Sequence, residues 1–165
     1  MTQTNISSEM RNAVGRAFGR RTGFPVSSSD IRRWAIAVYY PEPPPEALWK
    51  PGEDVQAPED FNPFAWMTAA GPSDGSDGDP NDTDNTESQL GIAGPGLKFQ
   101  LNGGLEVEYG VPMRPGDVIT SVSRVTNYSE REGRLGLMLF TVIEDVWTNQ
   151  DGAEVRRGRI TLIRY

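Results

Sequence analysis

The chain has no histidine and no cysteine in its 165 residues, and its only lysines are Lys50 and Lys98. Without imidazole there is no Ser-His-Asp triad, no histidine general base and little of the usual zinc chemistry. Without thiols there is no disulfide, no thiolate nucleophile and no cysteine-held metal. Any acid–base work done by the chain alone falls to carboxylates, tyrosine, serine, arginine and those two lysines. No apolar run reaches the length of about 18 residues that a membrane span needs, and no apolar leader follows Met1. These absences give the expectation of a cytoplasmic protein with no membrane partner.

The net charge of −7 is unevenly spread. Residues 42–87 hold 12 acids against Lys50 alone, so that stretch carries −11, and the remainder is mildly basic. Its arginines are scattered rather than gathered on one reading element, which argues against nucleic acid. At 36% hydrophobic residues, the chain suits a single domain over residues 1–165 with one core.

Three long β-type runs dominate the C-terminal third: Asp117–Tyr128, Leu135–Thr148 and Ala153–Arg164. Charged or glycine-bearing turns separate them, so they read as an antiparallel meander. The middle run is apolar on both parities, from Leu137 to Ile143, as expected of a strand with cover on two faces. That cover has to come from the first hundred residues.

Residues 1–12 read as frayed or a short helical lead-in, and Val14–Arg21 carries too many glycines and arginines for a core element. Ser29 is the expected N-cap of a helix Asp30–Tyr39, with Ile31, Trp34, Ala35 and Val38 on one face and Arg32 and Arg33 on the other. Pro41 ends that helix, and Glu42–Trp49 reads as a proline-rich connector rather than a ligand for a proline-reading module. From about Pro63, the aromatic and alanine residues up to Ala70 form the candidate helix that covers the sheet. Residues 71–89 are acidic and nearly free of apolar side chains, and read as a flexible insertion. Their spaced aspartates lack the order of a calcium loop. Leu97–Leu101 and Leu105–Tyr109 are short alternating strands, and Gly103 and Gly104 between them permit a close backbone approach or a bulge.

The succession of segments resembles the MaoC-like dehydratases, specifically their N-terminal, FAS1-like dehydratase half. The resemblance lies in Ile31-x-x-Trp34-Ala35, Ala57-Pro58-x-x-Phe61, Leu101-Asn102-Gly103-Gly104, Pro112-Met113-Arg114-Pro115-Gly116-Asp117, Arg131–Gly136 with Leu139-Phe140, and Asn149-Gln150-Asp151-Gly152. It covers roughly residues 15–165 apart from the acidic insertion. It implies an α+β hot-dog fold, a long helix wrapped by a curved antiparallel sheet, pairing side by side into a double hot dog. It further implies hydro-lyase chemistry of lipid metabolism: hydration of trans-2-enoyl thioesters and dehydration of (R)-3-hydroxyacyl thioesters, carried on coenzyme A or acyl carrier protein, with no cofactor.

Catalytic members of that family carry an Asp and a His in a Gly-Asp-x-Asn-Pro-x-His type segment after the first helix. Here the segment reads Val38-Tyr39-Tyr40-Pro41-Glu42-Pro43-Pro44-Pro45-Glu46. Glu42 and Glu46 stand on a poor scaffold for a preorganised base. The resemblance therefore implies a non-catalytic subunit, with no catalytic residues of its own, whose partner hot-dog chain brings the Asp/His pair in a heterodimer or heterotetramer. On that basis Phe61, Trp66, Met67, Asn102 and Gly103 are substrate-binding candidates, each with a competing core or turn role. Arg156, Arg157, Arg159 and Arg164 are candidates for coenzyme A phosphates, or else the charges that protect a strand edge. Two rival expectations remain open. One is a structural hot dog that recruits a thiolase-type enzyme, and the other is a thioesterase using Glu59 or Asp60.

Overall fold

The computed structural model describes residues 4–50, 55–65 and 81–165. The elements in chain order are α1 (Ser8–Ala13), β1 (Ala17–Thr22), α2 (Ser28–Tyr39), α3 (Glu46–Trp49), α4 (Asn85–Gln89), β2 (Gln100–Tyr109), β3 (Thr120–Gly133), β4 (Gly136–Thr148) and β5 (Glu154–Arg164). The five strands form one antiparallel sheet in the order β1-β3-β4-β5-β2.

The meander is present as expected, with β4 between β3 and β5. Side chains directly opposite one another in an antiparallel pair share a face. On β4, Leu139, Thr141, Ile143 and Trp147 are buried on the inner face, whereas Met138, Phe140 and Val142 on the outer face are only half-buried. The dual-parity apolar pattern thus marks one fully covered face and one partly covered face.

Three apolar clusters fill the inner face along its length. Ile6, Met10 and Leu139 occupy one end, and Ala13, Leu90, Val125 and Ile143 the centre. The largest, at the other end, includes Ile31, Phe61, Phe64, Met113, Ile119 and Trp147. The expected covering helix from Pro63 is described only as far as a turn at residues 63–65, and its remainder lies outside the described residues.

Several expectations are corrected. Of the two expectations for the N-terminus the short helix holds, as α1, but it is core rather than a loose lead-in: the Ser7 hydroxyl caps it, and Met10 and Ala13 are fully buried. The Gly/Arg-rich segment supplies β1, an edge strand paired with β3, whose register shifts between Phe18 and Arg21. A strand on the edge needs only one side of its backbone matched and tolerates arginine. Helix α2 begins at Ser28 with Ser27 as its N-cap, the Ser27 hydroxyl accepting from the Asp30 N–H at 3.1 Å. Ile31 and Ala35 are buried, but Val38 in the last turn is 57% exposed. The connector Glu42–Trp49 ends in the single turn α3, where Lys50 pairs with Glu46 at 2.7 Å.

The acidic insertion is shorter than expected at its C-terminal end. Residues 81–89 fold against the sheet through α4, and Glu87 is fully buried. Residues 71–80 lie outside the described residues. Gln100–Tyr109 form one strand rather than two, and the bulge expected of the glycines appears as a register shift between Asn102 and Gly104.

Candidate functional site

The four arginines of the last strand do not act together, because alternation divides them between faces. Arg157 and Arg159 lie outward in a ladder of carboxylates. Arg157 reaches Glu144 at 2.7 Å and Glu154 at 2.5 Å, and Arg159 reaches Glu108 at 2.9 Å and Glu144 at 3.1 Å. The hydrogen bonds that Arg157 donates to Glu154 and then Glu144 raise its pKa, and Arg157 in turn lowers that of Glu154. Both guanidinia are thus engaged within the sheet.

Arg164 faces inward and is 1% exposed. Its Nη1 donates to Glu87 Oε2 at 2.7 Å, and its Nη2 to Glu87 Oε1 at 2.8 Å and Thr141 Oγ1 at 2.9 Å. The Tyr128 hydroxyl donates to Glu87 Oε1 at 2.8 Å. Burial foremost, then the charge and hydrogen bond of Glu87, push the Tyr128 phenol far above its ordinary range. This polar knot fastens α4 to the sheet and leaves Arg164 no access to a ligand.

Arg156 is different. It pairs in register with Trp147 on one side and Tyr109 on the other, so all three share the inner face. Its guanidinium lies 4.5 Å above the Trp147 ring, and it forms no ion pair with a described residue. Together with Arg21, Glu59, Asp60, Asn62 and Trp147 it lines a cleft of about 270 Å³. Below the cleft, Asp145 accepts from Ser121 Oγ at 2.6 Å, Ser123 Oγ at 3.1 Å and Trp147 Nε1 at 2.6 Å. Those bonds fix the indole ring on which Arg156 rests. A second cleft of about 170 Å³, lined by Ala57, Val111, Met113 and Val155, adjoins it through Glu59. At the boundary the Tyr109 hydroxyl donates to Asp60 Oδ1 at 2.7 Å, which raises the Tyr109 pKa.

Of the substrate-binding candidates, Phe61 is 4% exposed, packs in the largest apolar cluster and borders the first cleft. Asn102 and Gly103 stand elsewhere, at the bulge of the edge strand β2. Asn102 Oδ1 accepts from the Gly104 N–H at 3.0 Å, and a Cβ on Gly103 would come within 2.9 Å of Ile163 Cγ1. Neither residue lines either cleft. Trp66 and Met67 lie outside the described residues. Arg21, Trp147 and Tyr109 were not evident as site residues from sequence. The parity of Arg156 against Trp147 was readable from strand alternation, but nothing local links Arg21 to either.

The sheet edge is the other feature open to chemistry. On β2 and its approach, Phe99, Leu101, Leu105 and Tyr109 are 59, 50, 56 and 39% exposed, and the free side of the strand has no neighbour among the described residues.

Comparison with known proteins places this architecture. No curated protein matches the sequence. Among solved structures, the MaoC-like dehydratase from Rhodospirillum rubrum superposes with a TM-score of 0.52 at 21% identity, over 93% of this chain and 92% of that one. The ChsH1-ChsH2 complex from Mycobacterium tuberculosis gives 0.62 at 17% identity, over 96% and 92%. The HadBC (3R-hydroxyacyl-ACP dehydratase) complex from the same organism gives 0.56 at 17% identity, over 92% and 96%. At such identities the likeness establishes the fold, which is the hot-dog fold. The sequence profile of the FAS1-like, dehydratase domain region matches residues 12–157. With nearly the whole sheet inside that match, the chain belongs to the family of the FAS1-like, dehydratase domain region, on the hot-dog fold it shares with the MaoC-like dehydratase above.

Proposed function

We propose that this chain is the substrate-shaping, non-catalytic subunit of a heteromeric enoyl-thioester hydratase or (R)-3-hydroxyacyl dehydratase, and that a second hot-dog chain brings the Asp/His pair. The observation that carries the proposal is a dehydratase-family sheet in a chain without a single histidine. Adding water across an enoyl thioester requires a proton donor and acceptor held at the reacting carbons. Where catalytic relatives keep that pair, this chain has the end of α2 and a proline turn. Glu42 and Glu46 there are exposed, and Glu46 is taken up by Lys50. Neither sits in a pocket that would preorganise it.

The unpaired, apolar β2 edge supports the second half of the proposal. Ten residues of strand with exposed leucines and aromatics form a template that a neighbouring strand satisfies. The solved relatives ChsH1-ChsH2 and HadBC are complexes, and HadBC is by name a hydroxyacyl-ACP dehydratase. In this reading Asn102 and Gly103 lie at the seam between the chains. The acyl group is carried on coenzyme A or acyl carrier protein, and the reaction needs no cofactor.

Reconstitution tests this. Hydration of crotonyl-CoA and of a bulkier enoyl-CoA is followed with a partner hot-dog chain bearing Asp and His, with and without this chain. The proposal expects this chain to raise turnover or change chain-length preference, and a His→Ala change in the partner to abolish activity. Partner kinetics unchanged on forming the complex would instead identify this chain as a scaffold.

A further inference from the structure

The paired clefts on the inner face have a construction that the hydration chemistry does not require. Arg21 comes from β1 and Arg156 from β5, strands at opposite sides of the sheet, yet both line the same space. Each guanidinium rests on a ring, Arg156 with no ion pair to a described residue and Arg21 with one long ion pair to Asp145. Arg21 lies 4.2 Å from the Phe64 centroid and Arg156 4.5 Å from that of Trp147, and the two rings meet edge to face at 5.1 Å. Stacking of this kind fixes the plane of a guanidinium while leaving its N–H donors free. The closest carboxylate to Arg21 is Asp145 at 3.9 Å, whose oxygens already accept three hydrogen bonds.

Glu59 and Asp60 stand on the same cleft, so its four charged side chains balance. A singly charged head group can meet the two guanidinia at tolerable cost from those carboxylates. Inorganic phosphate has the charge but no apolar body to fill the adjoining cleft. The adjoining cleft, with Ala57, Val111, Met113 and Val155, offers apolar surface just across the Tyr109–Asp60 hydrogen bond.

We propose that the two clefts together bind a carboxylate with an apolar body, the carboxylate against Arg156 and Arg21 and the body against Val111, Met113 and Val155. The proposal does not rest on whether the complex hydrates thioesters. A planar carboxylate takes parallel N–H bonds from a guanidinium, and each such bond is stronger than a neutral one. The apolar cleft selects for chain or ring bulk.

Calorimetric titration of the full-length chain with octanoate, acetate, octanol and inorganic phosphate tests this directly, with the indole N–H resonance of Trp147 as a local reporter. Octanoate should bind and shift that resonance, and acetate and octanol should each bind at least about tenfold more weakly, the loss of one good contact. Arg156→Gln should weaken octanoate about tenfold while leaving octanol unchanged. If circular dichroism shows that this variant fails to fold, Arg156→Lys keeps the charge but loses the planar fork, and octanoate should bind it several-fold more weakly. Equal binding of octanoate and octanol, phosphate binding as tightly as octanoate, no octanoate binding at millimolar concentration, or unchanged octanoate affinity in the folded variant would each overturn the proposal.

Discussion

Arg164 and Glu87 lie 77 positions apart in sequence and form a buried ion pair with both carboxylate oxygens engaged. Removing Glu87 leaves the buried Arg164 with only the Asp84 carboxylate at 3.3 Å and the Thr83 carbonyl at 2.8 Å, and breaking a buried pair typically costs roughly 3–5 kcal/mol. Glu87→Gln should therefore lower unfolding stability by roughly that amount in urea titration. Glu108→Gln, which cuts the more exposed Arg159 bridge, should leave the urea midpoint almost unchanged. The same knot gives a signature in alkali. Tyr128 stays neutral in the folded chain well above the pH of about 10 at which an unfolded tyrosine ionises. Its contribution to stability is intact below about pH 10 and is lost as the pH climbs toward the raised folded value. Melting temperature measured from pH 8 to 11.5 should fall at the alkaline end, and Tyr128→Phe should flatten that fall. None of this was legible locally: Glu87 sits in an acidic stretch that reads as solvated, and its guanidinium partner arrives only with the last strand.

At the scale of elements, the meander was readable because β-branched and aromatic residues crowd β3, β4 and β5, with turn residues between. Strand β1 was not, because Ala-Phe-Gly-Arg-Arg-Thr carries no strand preference of its own and is held by the ladder it forms with β3. The glycines of β2 were read correctly as a bulge site, but not as lying within one continuous strand. That bulge has a consequence for the edge. Leu101 pairs with Ile163 on the outer face, whereas beyond the shift Leu105 pairs with Ile160 and Tyr109 with Arg156 on the inner face. The exposed apolar side chains of β2 thus flank its free backbone on both sides. Amide exchange along β2 should be fast in the isolated chain and slow at least about tenfold once the partner is bound, as unpaired N–H groups gain acceptors. Leu105→Lys should weaken assembly while leaving the melting temperature nearly unchanged, since Leu105 is exposed. Unaltered exchange in β2 within a formed complex would place the seam elsewhere.

For the molecule as a whole, fold class and family follow from the order of short segments between Ile31 and Gly152, which fall in turn on α2, the β2 bulge, the approach to β3, the β3–β4 hairpin and the β4–β5 turn. The grouping of side chains on the inner face does not follow from that order. It depends on which strands become neighbours, so Arg21 meets Arg156 across the sheet while Arg157, one residue on, points away. The missing imidazole, by contrast, is visible at once and carries the proposed function, in which the proton-transfer group comes from another chain. Hydration of crotonyl-CoA by this chain purified alone, followed by loss of the enoyl absorbance, tests that most directly. The account predicts no turnover above buffer at any enzyme concentration, and steady turnover proportional to the amount of the lone chain would contradict it.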